Sequence, residues 1–222
     1  MQESERAEDL TGKARIRDAA LREFAERGVK GATIRGIAKA AGVSPALVQH
    51  HFGTKDALRE ACDEYVSREI RRVKEESLHG GMANPGFTEI ALKTTLPIQR
   101  YIARAMTDGS PAATALFDDL VLYSKEVLEA GRPGVSKPTT DDLHAYAVVM
   151  TGMSLGTFVL HDHLSRSLGA DVLTSQGYPR MALAMIEIFD DRLLSRELVG
   201  QARAAMKSML AAGEQSPDEE NR

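Results

Sequence analysis

The sequence predicts an all-α protein with a small helical head at the N-terminal side and a larger helical body. Apolar residues recur with a period near 3.6 along the whole chain, and no stretch alternates apolar and polar residues with β-branched enrichment. A short polar residue followed by proline, which is typical of a helix N-terminus, occurs at 44–45, 84–85 and 110–111. With 222 residues, 43% of them hydrophobic, the chain is long enough for a sizeable core.

Three helices are expected in the head. The first ends at Gly28, the second has Thr33 as its N-cap and ends at Gly42, and the third begins after Ser44. The apolar stripes that predict the first two helices are Ile16, Ala19, Ala20 and Phe24, then Ile34, Ile37, Ala38 and Ala41.

The body is expected to begin with a long helix after Thr54, followed by two helices around 98–106 and 113–127. Glycine and proline predict a surface loop over 131–142. Three helices follow, at about 143–168, about 179–194 and through 198–209. We divide the chain into a flexible N-terminal arm (1–12), a head (13–60), a body (61–212) and a disordered acidic tail (213–222).

Composition excludes several classes of protein. The single cysteine, Cys62, rules out an internal disulfide framework, and the polar first residues do not resemble a secretory signal, so a cytoplasmic location is expected. The longest apolar stretch, Ala145 to Leu160, is too short for a membrane span and predicts a buried helix.

Charge is distributed unevenly along the chain. Residues 13–60 hold ten Lys and Arg and five Asp and Glu, whereas the net charge of the whole chain is −4, so the remainder carries −9. A basic head on an acidic body predicts a polyanionic partner at one end of the molecule.

The most informative segment is TIRGIAKAAGVSPALVQHHFGTK, residues 33–55. Two short helices meet across Gly42, Val43 and Ser44: the glycine permits a left-handed turn, the valine fills the angle, and the serine caps the second helix. This is a helix-turn-helix, whose second helix enters the major groove of DNA.

Within the second helix only Val48 and Phe52 are expected to face inward. Small residues at 45 and 46 would allow close approach to a groove, and Gln49 could bind adenine through two hydrogen bonds. Short donors and helix N-termini suit phosphate, and Arg35 could reach a base or a phosphate. The candidate DNA-binding residues are Thr33, Arg35, Ser44, Pro45, Ala46, Gln49, His50, His51 and Lys55.

Residues 32–58 resemble the DNA-binding head of the tetracycline-repressor (TetR) family of bacterial regulators. The matching residues are Thr33, Ile37, Ala38, Ala41, Gly42, Val43, Ser44, His51, Phe52, Lys55 and Leu58. Four positions depart from the family pattern: Gln49 replaces a usual aromatic, Val48 replaces leucine, and Pro45 and Ala46 replace a longer polar residue and glycine.

The resemblance implies a homodimer in which three N-terminal helices read DNA and the body binds a small molecule. The expected function is a repressor that binds a palindromic operator and is released by its effector. An activator remains an alternative, as does an all-helical small-molecule binding protein or enzyme whose N-terminal helices mediate protein contacts.

The sequence contains no catalytic constellation, and neither the histidine pair at 50–51 nor the triplet at 161–163 has metal-ligand spacing, so we expect no cofactor and no metal. Cys62 is expected to be inert packing. Aromatic, methionine and polar residues of the body are candidates for the effector pocket: Tyr101, Arg104, Phe117, Tyr123, Met150, Met153 and His161.

Overall fold

The computed structural model describes residues 2–79, 85–131, 135–190 and 195–214, apart from the side chains of 2–10, 78, 85, 88, 189–190 and 209–214. All regular secondary structure in these ranges is helical, which confirms the predicted fold class. The helices are α1 (Gln2–Gly31), α2 (Ile34–Ala41), α3 (Pro45–Phe52), α4 (Lys55–Leu78), α5 (Pro85–Ala105), α6 (Pro111–Ala130), α7 (Leu143–Val159), α8 (His161–Leu168), α9 (Tyr178–Asp190) and α10 (Arg196–Glu214).

Local capping explains where most of these helices begin. The side-chain oxygens of Thr33, Ser44, Thr54 and Ser110 each accept a hydrogen bond from the backbone N–H three residues later, at 3.0 to 3.2 Å. The predicted starts after these residues are therefore confirmed, whereas the predicted cap at Asn84 lies outside the described residues.

The first helix ends where the sequence predicted. Gly28 leaves the helical conformation with φ 67° and ψ 167°, although helical hydrogen bonding resumes as far as Gly31. The backbone is helical from Gln2 onward, and the flexibility of residues 1–12 stays a prediction.

One large apolar core joins the head to the body. The stripe of α1 (Ile16, Ala19, Ala20, Phe24) packs together with α2, with Val48 of α3, and with Leu58 of α4. From the body, α5 contributes Ile98, Tyr101 and Ile102 to the same cluster. Because α1 packs against both α2 and α5, the position of the head is fixed by apolar contact with the body as well as by the chain connection.

A second, smaller cluster lies between α6 and α7. Val121, Leu128 and Ala147 are its buried members. Beside it, the Thr151 hydroxyl donates to Ser124 Oγ at 3.1 Å, and both residues are buried. This bond satisfies two polar groups that would otherwise be costly to bury in an apolar interface.

The predicted helix over 143–168 is wrong in one respect, because the structure divides it at Leu160 into α7 and α8, which meet at 63°. Within the last two turns of α7, the hydroxyls of Ser154 and Thr157 donate to the backbone carbonyls of Met150 and Ser154. Hydroxyls that bond to the helix's own carbonyls compete with the backbone ladder and favour a bend.

The remaining predicted boundaries agree where they can be compared. Residues 135–142 of the expected loop contain no helix, and α9 and α10 lie at the predicted positions. Gly213 and Glu214, which the sequence analysis assigned to the tail, are instead the last residues of α10. Residues 132–134, 191–194 and 215–222, which include most of the predicted tail, lie outside the described residues.

The chain forms two compact units, residues 1–178 and 179–222. In the described ranges, no individual helix has both the length and the apolar character needed to cross a membrane; only the bent pair of α7 and α8 meets that test jointly.

Candidate nucleic-acid interface

The turn between α2 and α3 is built by backbone geometry that requires glycine. Gly42 adopts φ 65° and ψ 39°, and the N–H of Val43 donates to the carbonyl of Ala38 at 3.0 Å, while the N–H of Gly42 donates to Lys39 at 3.2 Å. These bonds form a glycine-terminated C-cap. The chain then enters α3 with Ser44 as N-cap, which fixes the angle between the two helices.

A cation from α1 fastens this turn from outside. The guanidinium of Arg15 donates through Nη2 to the carbonyl oxygens of Ala41 at 2.6 Å and Gly42 at 3.2 Å. These oxygens are at the negative end of α2, where a cation is favoured. Sequence reasoning counted Arg15 as part of the basic charge and missed this role, because the contact spans 26 residues.

The exposure of α3 agrees with the orientation expected from its sequence. Val48 is fully buried, and Phe52 is half-buried against the core together with Leu47, which the sequence analysis did not place inward. The exposed side chains of α3 are Pro45, Ala46, Gln49 and His50. This solvent-facing strip bears only small or neutral polar groups, so nothing on it repels a phosphate backbone.

The other candidate contact residues surround this strip. Thr33 and Ser44 are exposed at the N-termini of α2 and α3, but their side-chain oxygens already serve as caps. Arg35 is exposed in the first turn of α2. His51 is half-buried, with its ring 6.2 Å from that of Phe52 in an edge-on arrangement. Contact with DNA stays a prediction for all of these residues.

Lys55 has a structural role that its sequence position did not indicate. Its ammonium donates to the carbonyl oxygens of Val29 at 2.7 Å and Ala32 at 3.1 Å, which binds the start of α4 to the end of α1 and to the short connection before α2. A phosphate contact by Lys55, which stays a prediction, would have to use its third proton.

Much of the positive charge counted in the head is therefore engaged within the protein. Besides Arg15 and Lys55, Arg17 binds Asp18 at 2.7 Å and lies 3.6 Å from the centre of the Tyr65 ring. Lys30, just before α2, and Arg35 and Lys39, on α2, are exposed cations of the head.

A buried polar cluster connects α4 with the turn between α5 and α6. Arg59, only 7% exposed, donates to Ser110 Oγ at 2.7 Å and pairs with Asp108 at 2.9 Å. Asp63, one turn further along α4, accepts a hydrogen bond from the Tyr101 hydroxyl and lies 3.7 Å from Arg59 Nε. We call these five residues the junction cluster, since they join the helix that leaves the head to two helices of the body.

Ionisation within the junction cluster follows from burial. Burial raises the pKa of Asp63, although the Tyr101 hydroxyl and Arg59 oppose this change. Burial and the Asp63 carboxylate raise the pKa of Tyr101, which therefore stays protonated and donates. Burial would also raise the pKa of Asp108, but bonds from Ser110 and Arg59 outweigh it and hold that pKa below its usual value.

The seven predicted pocket residues do not form one group. Tyr101 belongs to the junction cluster and packs against Phe24. Arg104 lies beside Gly28, where its guanidinium would be 3.2 Å from an added Cβ. The Tyr123 hydroxyl donates to Glu75 at 3.3 Å, and Arg71 lies 4.7 Å from the centre of its ring.

The other pocket candidates are also separated. Phe117 packs against both apolar clusters, Met150 packs only against the smaller one, and Met153 is 59% exposed. His161 lies beyond the bend, at the start of α8. Ligand binding by any of the seven stays a prediction.

A cleft of about 460 Å³ lies instead on the head, between α1 and α2, and its lining includes Glu23, Arg27, Thr33 and Lys39. Among the described side chains, no three His, Cys, Asp or Glu groups are placed to hold a metal ion.

Comparisons with known proteins agree with this architecture. Residues 16–62 match the model for bacterial regulatory proteins of the tetR family, and residues 94–195 match a tetracycline-repressor-like C-terminal domain. The HTH-type transcriptional regulatory protein RaaS of Mycobacterium tuberculosis is 34% identical over 214 residues, covering 95% of this chain and 97% of RaaS.

More distant relatives share the head or the fold. The regulator BetI of Burkholderia thailandensis is 40% identical over 58 residues, which cover 26% of this chain and 30% of BetI. A solved TetR-family regulator from Rhodococcus superposes with a TM-score of 0.54 at 18% identity, covering 68% of this chain and 86% of the other. With a full-length relative above 30% identity and two matching domain models, the chain belongs to the TetR family of bacterial regulatory proteins and is a transcriptional regulator, not an enzyme.

Proposed function

We propose that the protein binds a palindromic operator as a homodimer, represses transcription from it within the cytoplasm, and is released when a small molecule enters the helical body. The exposed strip of α3 carries this proposal. A strip with no acidic and no large apolar side chain, fixed by the Gly42 turn and by Arg15, suits a major groove.

Within this proposal the candidate residues divide into two groups. Gln49 reads a base, and Pro45 and Ala46 let the backbone come close to the groove floor. Thr33, Arg35, Ser44, His51 and Lys55 bind phosphates on either side of the strip. Lys39, an exposed cation of α2 that was not among the candidates, adds a further phosphate contact.

Dimer formation is supported by an apolar stripe on α7. Tyr146, Val149 and Met153 recur at helical spacing on α7, Leu160 follows at the bend, and the four side chains are 44% to 60% exposed. Neighbouring Gly152 has no atom within 4 Å of an added Cβ. An exposed apolar stripe beside a small residue suits close packing against a second copy of the chain.

The proposal is tested by selecting bound fragments from random duplex DNA with the purified protein. We expect an inverted repeat whose half-sites are centred one or more helical turns apart. The salt dependence of Kd on that operator then counts phosphate contacts, and Arg35→Ala should reduce the slope by about one. An exposed cation of the body, Arg166, provides the control as Arg166→Ala. Recovery of an unrelated pool, with no enrichment, would contradict operator binding.

A further inference from the structure

Two buried polar side-chain atoms without a hydrogen bond belong to α5 and to the first residue of α8. Gln99 on α5 is 6% exposed, and its side-chain carbonyl oxygen has no hydrogen-bond partner. Nδ1 of His161, the first residue of α8, is also buried without a hydrogen bond; its nearest ionic neighbour, Asp162, is 3.7 Å away. A buried polar group that lacks a partner costs free energy, so such groups indicate a missing water or ligand.

Hydrogen bonds join the segments that carry these two atoms. Arg100, the neighbour of Gln99, donates to Asp171 at 2.6 Å and to the Leu173 carbonyl at 3.1 Å. Asp171 and Leu173 belong to the loop between α8 and α9. Val172, which lies between them, donates its N–H to Ser165 Oγ on α8 at 3.0 Å.

His161 lies one helical turn before Ser165, so the two residues share the face of α8 that is turned to this loop. Electrostatics agrees with this placement. Burial would raise the pKa of Asp171, but the Leu173 N–H, Arg100 and the His161 ring together hold it below its usual value. Gln99 precedes Arg100 on α5, and His161 acts on the carboxylate of Asp171, so each residue neighbours one member of the Arg100–Asp171 pair.

The surroundings of this site are mainly apolar, and the carboxylate nearest to Nδ1 of His161, that of Asp162, is 93% exposed to solvent. Ile98 and Ile102 of α5 share the main core cluster with Leu155 and Phe158 of α7, and Val172 and Leu173 of the loop are buried. Arg100 and Asp171 neutralise each other. A charged ligand group would lose its hydration here and gain little from the solvent-exposed Asp162, which disfavours it.

We propose that Gln99 and His161 form a binding site for an apolar molecule that bears a neutral hydroxyl group, inserted between α5 and the α7–α8 bend. A hydroxyl both donates and accepts, so it can donate to the Gln99 carbonyl and accept from Nδ1–H of His161. The role of this site as the effector site rests on the proposed function, whereas ligand binding itself does not.

Matched pairs of ligands test the site in the full-length protein. The probes are the linear primary alcohols from hexanol to decanol and the methyl ethers of the same alcohols, which lack the donor. We expect at least one alcohol to raise the Tm by about 2–4 °C and its ether to give a clearly smaller shift. Equal shifts for alcohol and ether, or no shift with any alcohol, would overturn the proposal.

Substitution then locates the binding. Gln99→Met should weaken alcohol binding by about tenfold in calorimetry and remove the difference between alcohol and ether. It should also raise the Tm of the ligand-free protein, because the unpaired carbonyl is lost. The matched control is Gln176→Met, at an exposed position of the loop before α9. If Gln99→Met preserves the preference for alcohol, the site assignment is wrong.

DNA retention distinguishes failure of the site from failure of the proposed function. If the unmodified protein binds its selected operator but no alcohol, only the ligand site fails. If the alcohols bind as expected and the operator complex is unaffected by them, the ligand site stands and the proposed release mechanism fails.

Discussion

Lys55, the first residue of α4, donates a hydrogen bond to the backbone carbonyl of Val29 at 2.7 Å, across 26 residues of sequence. Together with its bond to Ala32, this contact fixes the helix that leaves the head against the segment that precedes α2. A lysine that matches the family's DNA-binding motif thus also stabilises the head.

Lys55→Met should therefore destabilise the protein. The variant keeps the aliphatic stem but loses two charge-assisted bonds to partly buried carbonyls, and we expect the free energy of unfolding to fall by about 1–3 kcal/mol. Urea denaturation measures this, with Lys39→Met, at an exposed position, as the control. Equal midpoints for the two variants would show that the bonds to Val29 and Ala32 contribute little.

Gly42→Ala tests the turn. The left-handed conformation alone should cost about 1–2 kcal/mol. An added Cβ would also lie only 2.9 Å from Nη2 of Arg15, and this contact should displace the guanidinium. We expect the combined variant with Arg15→Met to be more stable than the sum of the single effects predicts, because both changes break the same contact. Strict additivity in thermal unfolding would argue against the Arg15 anchor.

Asp108→Asn tests the junction cluster and its pH dependence. Because the pKa of Asp108 is lowered in the folded protein, its ionised form contributes stability above its unfolded pKa, and this contribution is lost as the pH falls through the folded value. The variant should therefore be less stable than the original at pH 7, and the two should converge in acid. Urea midpoints measured from pH 7 down into acid report the effect. The control is Asp162→Asn, at an exposed position. A difference that persists or grows in acid would contradict this assignment.

Val149→Glu should weaken the proposed dimer. A carboxylate on the apolar α7 stripe would be buried against the second copy, and this burial is costly. Sedimentation equilibrium should show a larger monomer fraction for Val149→Glu than for Leu122→Glu, an exposed apolar position of similar exposure on α6. If both variants dissociate equally, or neither does, α7 is not the contact surface.

Gln49→Ala should reduce discrimination between operators. We expect the variant to lose about 1–3 kcal/mol of binding free energy on the selected operator and little on random duplex, since the proposed bidentate contact would read one base. Fluorescence anisotropy at fixed salt measures both affinities, and His50→Ala shows whether the neighbouring exposed residue reads a base as well. An equal loss on both DNAs would make Gln49 a backbone contact.

The sequence alone determined the features that depend on neighbouring residues. Thr33, Ser44, Thr54 and Ser110 cap the helices they precede, and Gly42 makes the turn, because each of these interactions closes within a few residues and needs only the right side chain in the right place. The all-α class and the family resemblance likewise follow from patterns of residues that are close together in the sequence.

The tertiary structure decided everything that depends on partners far along the chain. The bonds of Lys55 to Val29 and of Arg15 to Ala41 join separate helices, and the bond of Arg59 to Asp108 joins α4 to the turn between α5 and α6, across 49 positions. Periodicity gives the buried face of a helix but not the helix that covers it. Whether a given arginine binds a carbonyl, a carboxylate or solvent is therefore settled only when the helices pack.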